Sequence, residues 1–593
     1  MSDVAAGDAS ICSAKSSMGW FSFLRWGIGL VLIALLVHPV LFAWVFVEIR
    51  GMPQKKTMLL LGAGIVACFI VTYGLFRPAG RRGWQGIGLL SLLAVWIGTA
   101  IALAPRLLDE NVGNPVELGG FFGLCTLAVP MLGWLGAWSF GWVVRALLLL
   151  VLAGGFVLFN RAARIDGLSG DETKVSMAWR RREIEPSASV ALLKVVSGDY
   201  PQYLGPYRNA RLDDVAIATD WENSPPMRVW QSSFDGGLGA FVVSKDGVAV
   251  TMTQRGKNES IVGFNAGGEE LIHFSYPSLF EHGLAKSGPR STPLIADDKV
   301  YAMGALGTLT CLNIPEGEKV WQQETAAKGA KTPPYGVASS PLLVDGKLIV
   351  CRPSVDGKSV AAYDPANGEL IWEGGNAETG YSSPMLATLA GVRQIVVFNA
   401  ENVTGMEIET GSLLWSHPWT NLEKNNCSQP IVIPGAPDRL FVSTGYGKGS
   451  VLLAIEKSEE GKWAPRVIWE SKQMRNKFST SFVDGGAVYG LDDGILAAID
   501  LETGKKLWKK DRIGHGQLLW VGGKIIALTE SGDLQLIDVS RDGSKVLGKV
   551  EGALEGKTWN HMALAPPFLF VRNDREGVCF ELKLAKESLE SSP

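Results

Sequence analysis

Four ten-residue stretches decide how this chain folds: LNIPEGEKVW (Leu312 to Trp321), YDPANGELIW (Tyr363 to Trp372), MEIETGSLLW (Met406 to Trp415) and IDLETGKKLW (Ile499 to Trp508). They align without gaps. The second residue is Asn313, Asp364, Glu407 or Asp500, the sixth is Gly317, Gly368, Gly411 or Gly504, and the last is always Trp. An Asx side chain accepts from backbone N–H groups just ahead of it, and glycine enters the positive-φ region that other residues resist, so each stretch reads as a tight turn between two strands. Trp321, Trp372, Trp415 and Trp508 then fall on the following strand, where a large ring can fill the gap between neighbouring sheets. Degenerate copies run from Phe264 to His273 and from Ile537 to Leu547, and a copy with a longer loop ends at Trp469.

A second signal precedes each unit: Ser291-Thr292-Pro293, Ser339-Ser340-Pro341, Ser382-Ser383-Pro384, Ser428-Gln429-Pro430 and Ser479-Thr480-Ser481, each followed by an apolar run. Each unit therefore holds about four short strands. Such units at a spacing of about 40 to 50 residues indicate a β-propeller, in which a blade buries both faces only when its neighbours stack on it. Blades are expected to begin near Gly239, Ser291, Ser339, Ser382, Ser428, Ser479, Gly516 and Asn560. The last shows three strands before the tail, so the early strand Arg228 to Ser232 is expected to complete it and close the ring, removing two exposed sheet edges. The expected fold class is an all-β eight-bladed propeller over residues 226–585 with a tail at 586–593.

Upstream the composition changes. Residues 1–165 carry twelve Lys and Arg against six Asp and Glu, which leaves a net charge of −9 for residues 166–593. That sign argues against nucleic acid as a partner, since phosphate neutralisation drives such binding. Apolar runs at Phe21–Val47, Met58–Phe76, Trp84–Ala104, Leu118–Trp138 and Trp142–Phe159 each approach the roughly 17 to 25 residues that cross a bilayer as a helix. The expectation is an N-terminal α-helical transmembrane region of about five helices within 21–160, a cytoplasmic tail at 1–20, and a linker and leader at 161–225. Trp20, Trp26, Trp44, Trp84, Trp138 and Trp142 stand near the run ends, where interfacial indoles anchor helices. The basic loops do not choose an orientation: Arg77, Arg81 and Arg82 oppose Arg50, Lys55 and Lys56.

The D/N-x-x-x-G-x-x-x-W turn and the eight-fold count resemble the pyrroloquinoline-quinone (PQQ) repeat family, whose quinoprotein-like propellers include both quinoprotein dehydrogenases and a non-catalytic, BamB-like propeller of bacterial outer-membrane assembly. The leader DYPQYLGPYRNAR, Asp199 to Arg211, resembles the segment that precedes the propeller in membrane-anchored PQQ-repeat proteins. The resemblance implies a propeller outside the cytoplasmic membrane, hence an inside N-terminus, a multi-pass inner-membrane location, and protein partners in the cell envelope. The repeat specifies fold far better than function.

Ligand sites of propellers lie where the innermost strands converge on the channel mouth. Residues at and before the Ser-Thr-Pro-type signals give the candidate set Arg290, Tyr335, Tyr381, Asn426, Lys477, His515, Gln517, Trp559 and Asn560. Arg290 and Lys477 can hold an anion or a quinone carboxylate, with Trp559 or Tyr381 as a stacking platform. The alternative is that these side chains cap strand ends around a water-filled channel. His515, between Gly514 and Gly516, and His561 can titrate near neutrality, whereas His273, His282 and His417 read as isolated. No H-x-x-x-H or paired C-x-x-C pattern points to a structural zinc site.

Two functions follow from the resemblance. The first is a non-catalytic protein-binding scaffold without a cofactor. The alternative is a PQQ-dependent alcohol or sugar dehydrogenase using Ca²⁺ or Mg²⁺ and passing electrons to membrane quinone, as the five-helix anchor of related dehydrogenases implies. Such enzymes often carry a vicinal disulfide, and no two of the seven cysteines are adjacent here. Cys311, Cys351 and Cys579 read as buried strand thiols, and Cys427 has no evident partner. The carboxylates that stand out are Asp364, Asp500, Asp492, Asp493 and Asp574.

Overall fold

The computed structural model describes residues 199–282, 286–314 and 316–585, together with the backbone of two short strands further upstream. The chain divides into two compact units, residues 1–181 and 182–593. In the first, Ala163–Ile165 pairs antiparallel with Val175–Met177. The expected membrane helices, the tail at 1–20 and the tail at 586–593 lie outside the described residues.

The second unit builds eight antiparallel sheets from strands taken in order along the chain. Blades 1 to 7 occupy residues 242–277, 294–324, 342–374, 385–418, 431–471, 482–512 and 517–550. Blade 8 takes three strands from residues 563–581 and its outermost from Met227–Ser233, which pairs antiparallel with Glu576–Glu581. The chain's early strand thus closes the ring, as the sequence pattern requires. Middle strands such as Ala249–Arg255 and Gly449–Lys457 are buried along most of their length, whereas the outermost strands alternate buried and exposed. Apolar clusters sit between sheets: Val250, Ile261 and Ile272 of blade 1 pack with Val300 and Leu312 of blade 2, and Val442 and Leu453 of blade 5 pack with Val396 and Trp415 of blade 4. A single blade has nothing to cover these faces, so stability belongs to the stack.

Two rings of polar contacts hold the stack in register. The outer one uses the repeat turns. Gly317, Gly368, Gly411 and Gly504 have φ of +72°, +76°, +69° and +65°. The Trp321 indole donates to Pro365 O at 3.0 Å, Trp372 to Ile408 O at 3.0 Å, Trp469 to Leu501 O at 2.9 Å and Trp508 to Ser540 O at 2.8 Å, each in the turn of the next blade. A β-carbon on Gly368, Gly411 or Gly504 would stand 2.3–2.6 Å from the ring of Trp321, Trp372 or Trp469. Glycine is required there twice over, for the left-handed backbone and for the ring that lies on it. Trp415 departs from the pattern and donates to Gln394 Oε1 of its own blade at 2.6 Å. Blade 5 has a longer outer hairpin, with two nine-residue strands, and its turn glycine Gly461 has open space where a β-carbon would stand. The Asx contact appears where a donor exists: Asp364 Oδ1 accepts from Ala366 N at 2.7 Å, and Asp500 Oδ1 accepts from Thr503 N at 3.0 Å. Two residues past Asn313 stands Pro315, which has no N–H to give.

The inner ring explains the second signal. Ala240 N donates to Thr292 Oγ1 at 3.0 Å, Thr292 N to Ser340 Oγ at 2.9 Å, and Ser340 N to Ser383 Oγ at 2.8 Å, so blades 1 to 4 are linked hydroxyl by hydroxyl. Gln429 continues the relay, with Nε2 donating to Ser383 O at 3.0 Å and its N–H to Thr480 Oγ1 at 3.2 Å. Gln517 Nε2 bridges Phe478 O and Trp559 O, and Asn560 Nδ2 donates to Gly239 O at 3.0 Å, returning to blade 1. All eight junctions are spanned.

Candidate functional site

The leader packs against the innermost strands of several blades. Tyr200 exchanges backbone hydrogen bonds with Val243, at the end of the innermost strand of blade 1, and Pro201 O accepts from Ile295 N of blade 2. Leu204, Arg208 and Ala210 take left-handed conformations that fold the segment into a loop. Arg211–Leu212 then runs out parallel to Trp520–Val521 of blade 7, as a fifth strand of that sheet. At its deepest the loop reaches the starts of the innermost strands. There the Arg208 guanidinium donates to Pro341 O at 2.8 Å and Ser340 O at 3.1 Å, and Tyr203 Oη meets His561 Nε2 at 3.2 Å. Residues 199–212 thus form a plug that enters from one face and floors the opposite mouth.

The candidate residues divide above that floor. Asn426, Gln517 and Asn560 are committed to the ring itself: Asn426 Nδ2 donates to Asn399 O and Ala400 O, and the other two carry inter-blade bonds. Arg290 is buried, stacks on Phe280 at 4.7 Å and donates to Lys286 O, with burial bringing its pKa down to about 10. Tyr335 and Tyr381 form an aromatic pair with ring centroids 5.7 Å apart. His282, which reads as isolated in the sequence, meets Tyr335 edge-on at 4.9 Å.

Lys477, His515 and Trp559 come together. Phe478 lies between them, 5.1 Å from the Trp559 ring and 6.0 Å from His515. Lys477 Nζ stands 4.9 Å over Tyr446 and 5.6 Å over Phe478. Sequence reasoning missed three groups that complete this cluster. Glu530 accepts from the Trp559 indole at 2.9 Å and from His515 N at 3.0 Å. Lys557 Nζ lies 4.8 Å over the Trp559 ring, and Lys286 Nζ lies 5.7 Å over it while ion-paired to Asp574 at 2.6 Å. Burial pushes the Glu530 carboxyl up, but the His515 N–H, the indole and the nearby positive charges outweigh it, so Glu530 is held below its usual range. Burial, reinforced by Lys477, lowers the imidazole of His515 and keeps it neutral at pH 7.

A quinone held over Ca²⁺ or Mg²⁺ needs converging oxygen ligands and a nearby carboxylate base. Among the described residues no three His, Cys, Asp or Glu side chains come together in that way. The carboxylates singled out by the sequence have other work: Asp364 and Asp500 brace their own turns, Asp492 is paired with Arg475 and Lys509 at 2.7 Å each, Asp493 lies 3.9 Å from Arg475, and Asp574 holds Lys286. The four described cysteines are unpaired, with Cys311, Cys351 and Cys579 buried.

A family model described as outer membrane protein assembly factor BamB matches residues 227–510 and 465–551, together more than half of the chain. The chain belongs to this family. BamB of Burkholderia pseudomallei (strain K96243) is 24% identical over an alignment of 261 residues that covers 37% of this chain and 65% of that protein, so the chain spans just under two thirds of that relative's length. BamB of Escherichia coli (strain K12) is 24% identical over 301 residues, 48% of this chain and 71% of the relative. Among solved structures, BamB from Moraxella catarrhalis is similar with a TM-score of 0.43 and 16% identity, over 60% of this chain and 97% of that one. Quinohemoprotein alcohol dehydrogenase from Comamonas testosteroni is similar with a TM-score of 0.46 and 13% identity, over 65% and 80%.

Proposed function

We propose that this protein is a membrane-anchored scaffold of the cell envelope, whose eight-bladed propeller lies on the periplasmic side of the inner membrane and binds protein partners without catalysis. The observation that carries this reading is the family match across residues 227–551, to a protein described as an assembly factor. The channel agrees with it. The leader lies against the innermost strands, and Asn426, Gln517 and Asn560 at the mouth are spent on holding blades together. The apolar runs between residues 21 and 159 supply the anchor in this reading, and the family resemblance supplies its orientation. No cofactor forms part of it.

Calorimetric titration of the full chain in detergent with PQQ, first with Ca²⁺ and then with Mg²⁺, tests the non-catalytic part. The reading expects no saturable heat from a folded sample. Stoichiometric uptake would replace it with the oxidoreductase alternative.

A further inference from the structure

The propeller portion of the chain is acidic, with a net charge of −9 over residues 166–593, yet one side of the mouth gathers Lys286 and Lys557 over the ring of Trp559 and Lys477 over the adjoining ring of Phe478. Gathering like charges costs free energy unless something offsets it. Asp574 offsets Lys286. Among the described residues Glu530 is the one carboxylate within ion-pair distance of Lys557, at 3.7 Å, too long for a hydrogen bond, and its oxygens are already engaged by the Trp559 indole and by His515 N. The Lys557 side chain is 8% exposed, and its buried Nζ makes no hydrogen bond. Lys477 has no carboxylate within ion-pair distance among the described residues and lies instead over Tyr446 and Phe478. A buried ammonium with an ion-pair partner but no hydrogen bond is only partly compensated.

Beside this cluster the starts of consecutive blades present further unmatched groups. Ser382 Oγ, Gln429 Oε1, Asn476 Nδ2, Gln517 Oε1 and Asn560 Oδ1, from blades 4 to 8, are buried and have no hydrogen-bond partner among the described residues. They mix donors with acceptors, as a backbone does. The channel already shows what it accommodates, because its own leader lies in it as polypeptide, pairing through backbone with the innermost strands of blades 1 and 7.

We propose that the mouth of the channel, beside the leader, is a peptide-binding funnel for an acidic, aromatic-bearing extended segment of a partner protein, with Lys477 and Lys557 receiving its carboxylates and Phe478 and Trp559 its rings. This rests on the protein-binding reading above and names the partner's chemistry. The acidic body repels such a segment elsewhere, so charge directs it to the mouth. Backbone groups of the incoming segment meet the unmatched polar atoms at the strand starts.

The test is fluorescence anisotropy of the full chain in detergent with a fluorescein-labelled peptide of alternating glutamate and tyrosine. A lysine–tyrosine peptide serves as control, and Lys477→Gln and Lys557→Met serve as variants, with circular dichroism to confirm folding. The proposal expects saturable binding of the acidic peptide alone, weakened at least tenfold in each folded variant and weakened by added salt. Lys477 is only partly buried and makes no ion pair among the described residues, so its variant keeps the test decisive if Lys557→Met fails to fold. Binding that is absent, equal in Lys477→Gln, or matched by the basic peptide overturns the funnel. If partner cross-linking in native membranes persists alongside any of those results, the funnel alone is lost. If cross-linking fails as well, the scaffold reading is lost with it.

Discussion

The indole of Trp372 lies on the backbone of Gly411, one blade further round the ring, so closely that a β-carbon on that glycine would come within 2.3 Å of the ring. The same indole donates to Ile408 O in the same turn. The repeat is therefore a lock between neighbours: the glycine of one copy receives the tryptophan of the copy before it.

Gly411→Ala should destabilise the propeller by about 3 kcal/mol or more, because it adds a steric clash to the cost of a left-handed alanine. Gly346 has a similar φ of +70° with open space around its β-carbon position. Gly346→Ala should cost only about 1 kcal/mol, the backbone part. Urea unfolding of both variants checks this, and equal costs would remove the lock.

Replacing the tryptophan tests the lock from the other side. Trp372→Ala and Trp508→Ala each delete a buried ring and should cost about 3 to 5 kcal/mol. Wild-type stability in either would undo the blade assignment.

Ring closure concentrates on Arg572. It is fully buried, donates to Thr251 Oγ1 and Met252 O at 2.6 Å each and to Gly236 O at 3.1 Å, and stacks on Phe234 at 4.4 Å. Blade 8 is thereby tied to blade 1, where the two ends of the ring meet. Arg572→Met keeps the bulk but strands those acceptors, and a loss of about 3 kcal/mol is expected. A melting temperature unchanged from wild type would show that the strand Met227–Ser233 closes the ring unaided.

The plug should respond to acid through His561. Burial holds this imidazole well below its ordinary pKa, so it stays neutral beside Tyr203 while the unfolded chain takes up a proton near pH 6.5. Stability from this group is complete above that pH and falls as the pH drops below it. His561→Asn removes the titration, so between pH 7 and pH 5 the wild type should lose about 2 kcal/mol more than the variant does. Denaturation curves at the two pH values measure the difference, and parallel losses would take His561 out of the account.

The eight-fold ring, the closing strand and the Trp–Gly turns were legible because each is written locally and repeated. Ser291-Thr292-Pro293 and its copies were legible as signals, but their use as an inter-blade relay needed coordinates, since Thr292 and Ser340 are matched only when two blades stack. The leader was the larger miss. Tyr203 and His561 meet across 358 residues, and nothing near either marks the contact. Reading Gly514-His515-Gly516-Gln517 for its histidine found the right loop, whereas Glu530 and Lys557, which set that histidine's surroundings, stand on other connections with no motif of their own.

The central claim is that folded blades present a surface to another envelope protein. Photo-reactive residues placed singly at Tyr207, Val355, Leu422 and Val546, all exposed positions, and irradiated in native membranes test it most directly. The account predicts a discrete adduct with one identifiable envelope protein from adjoining positions and none from the rest. Uniform absence of adducts from every position in folded, membrane-embedded protein would contradict it.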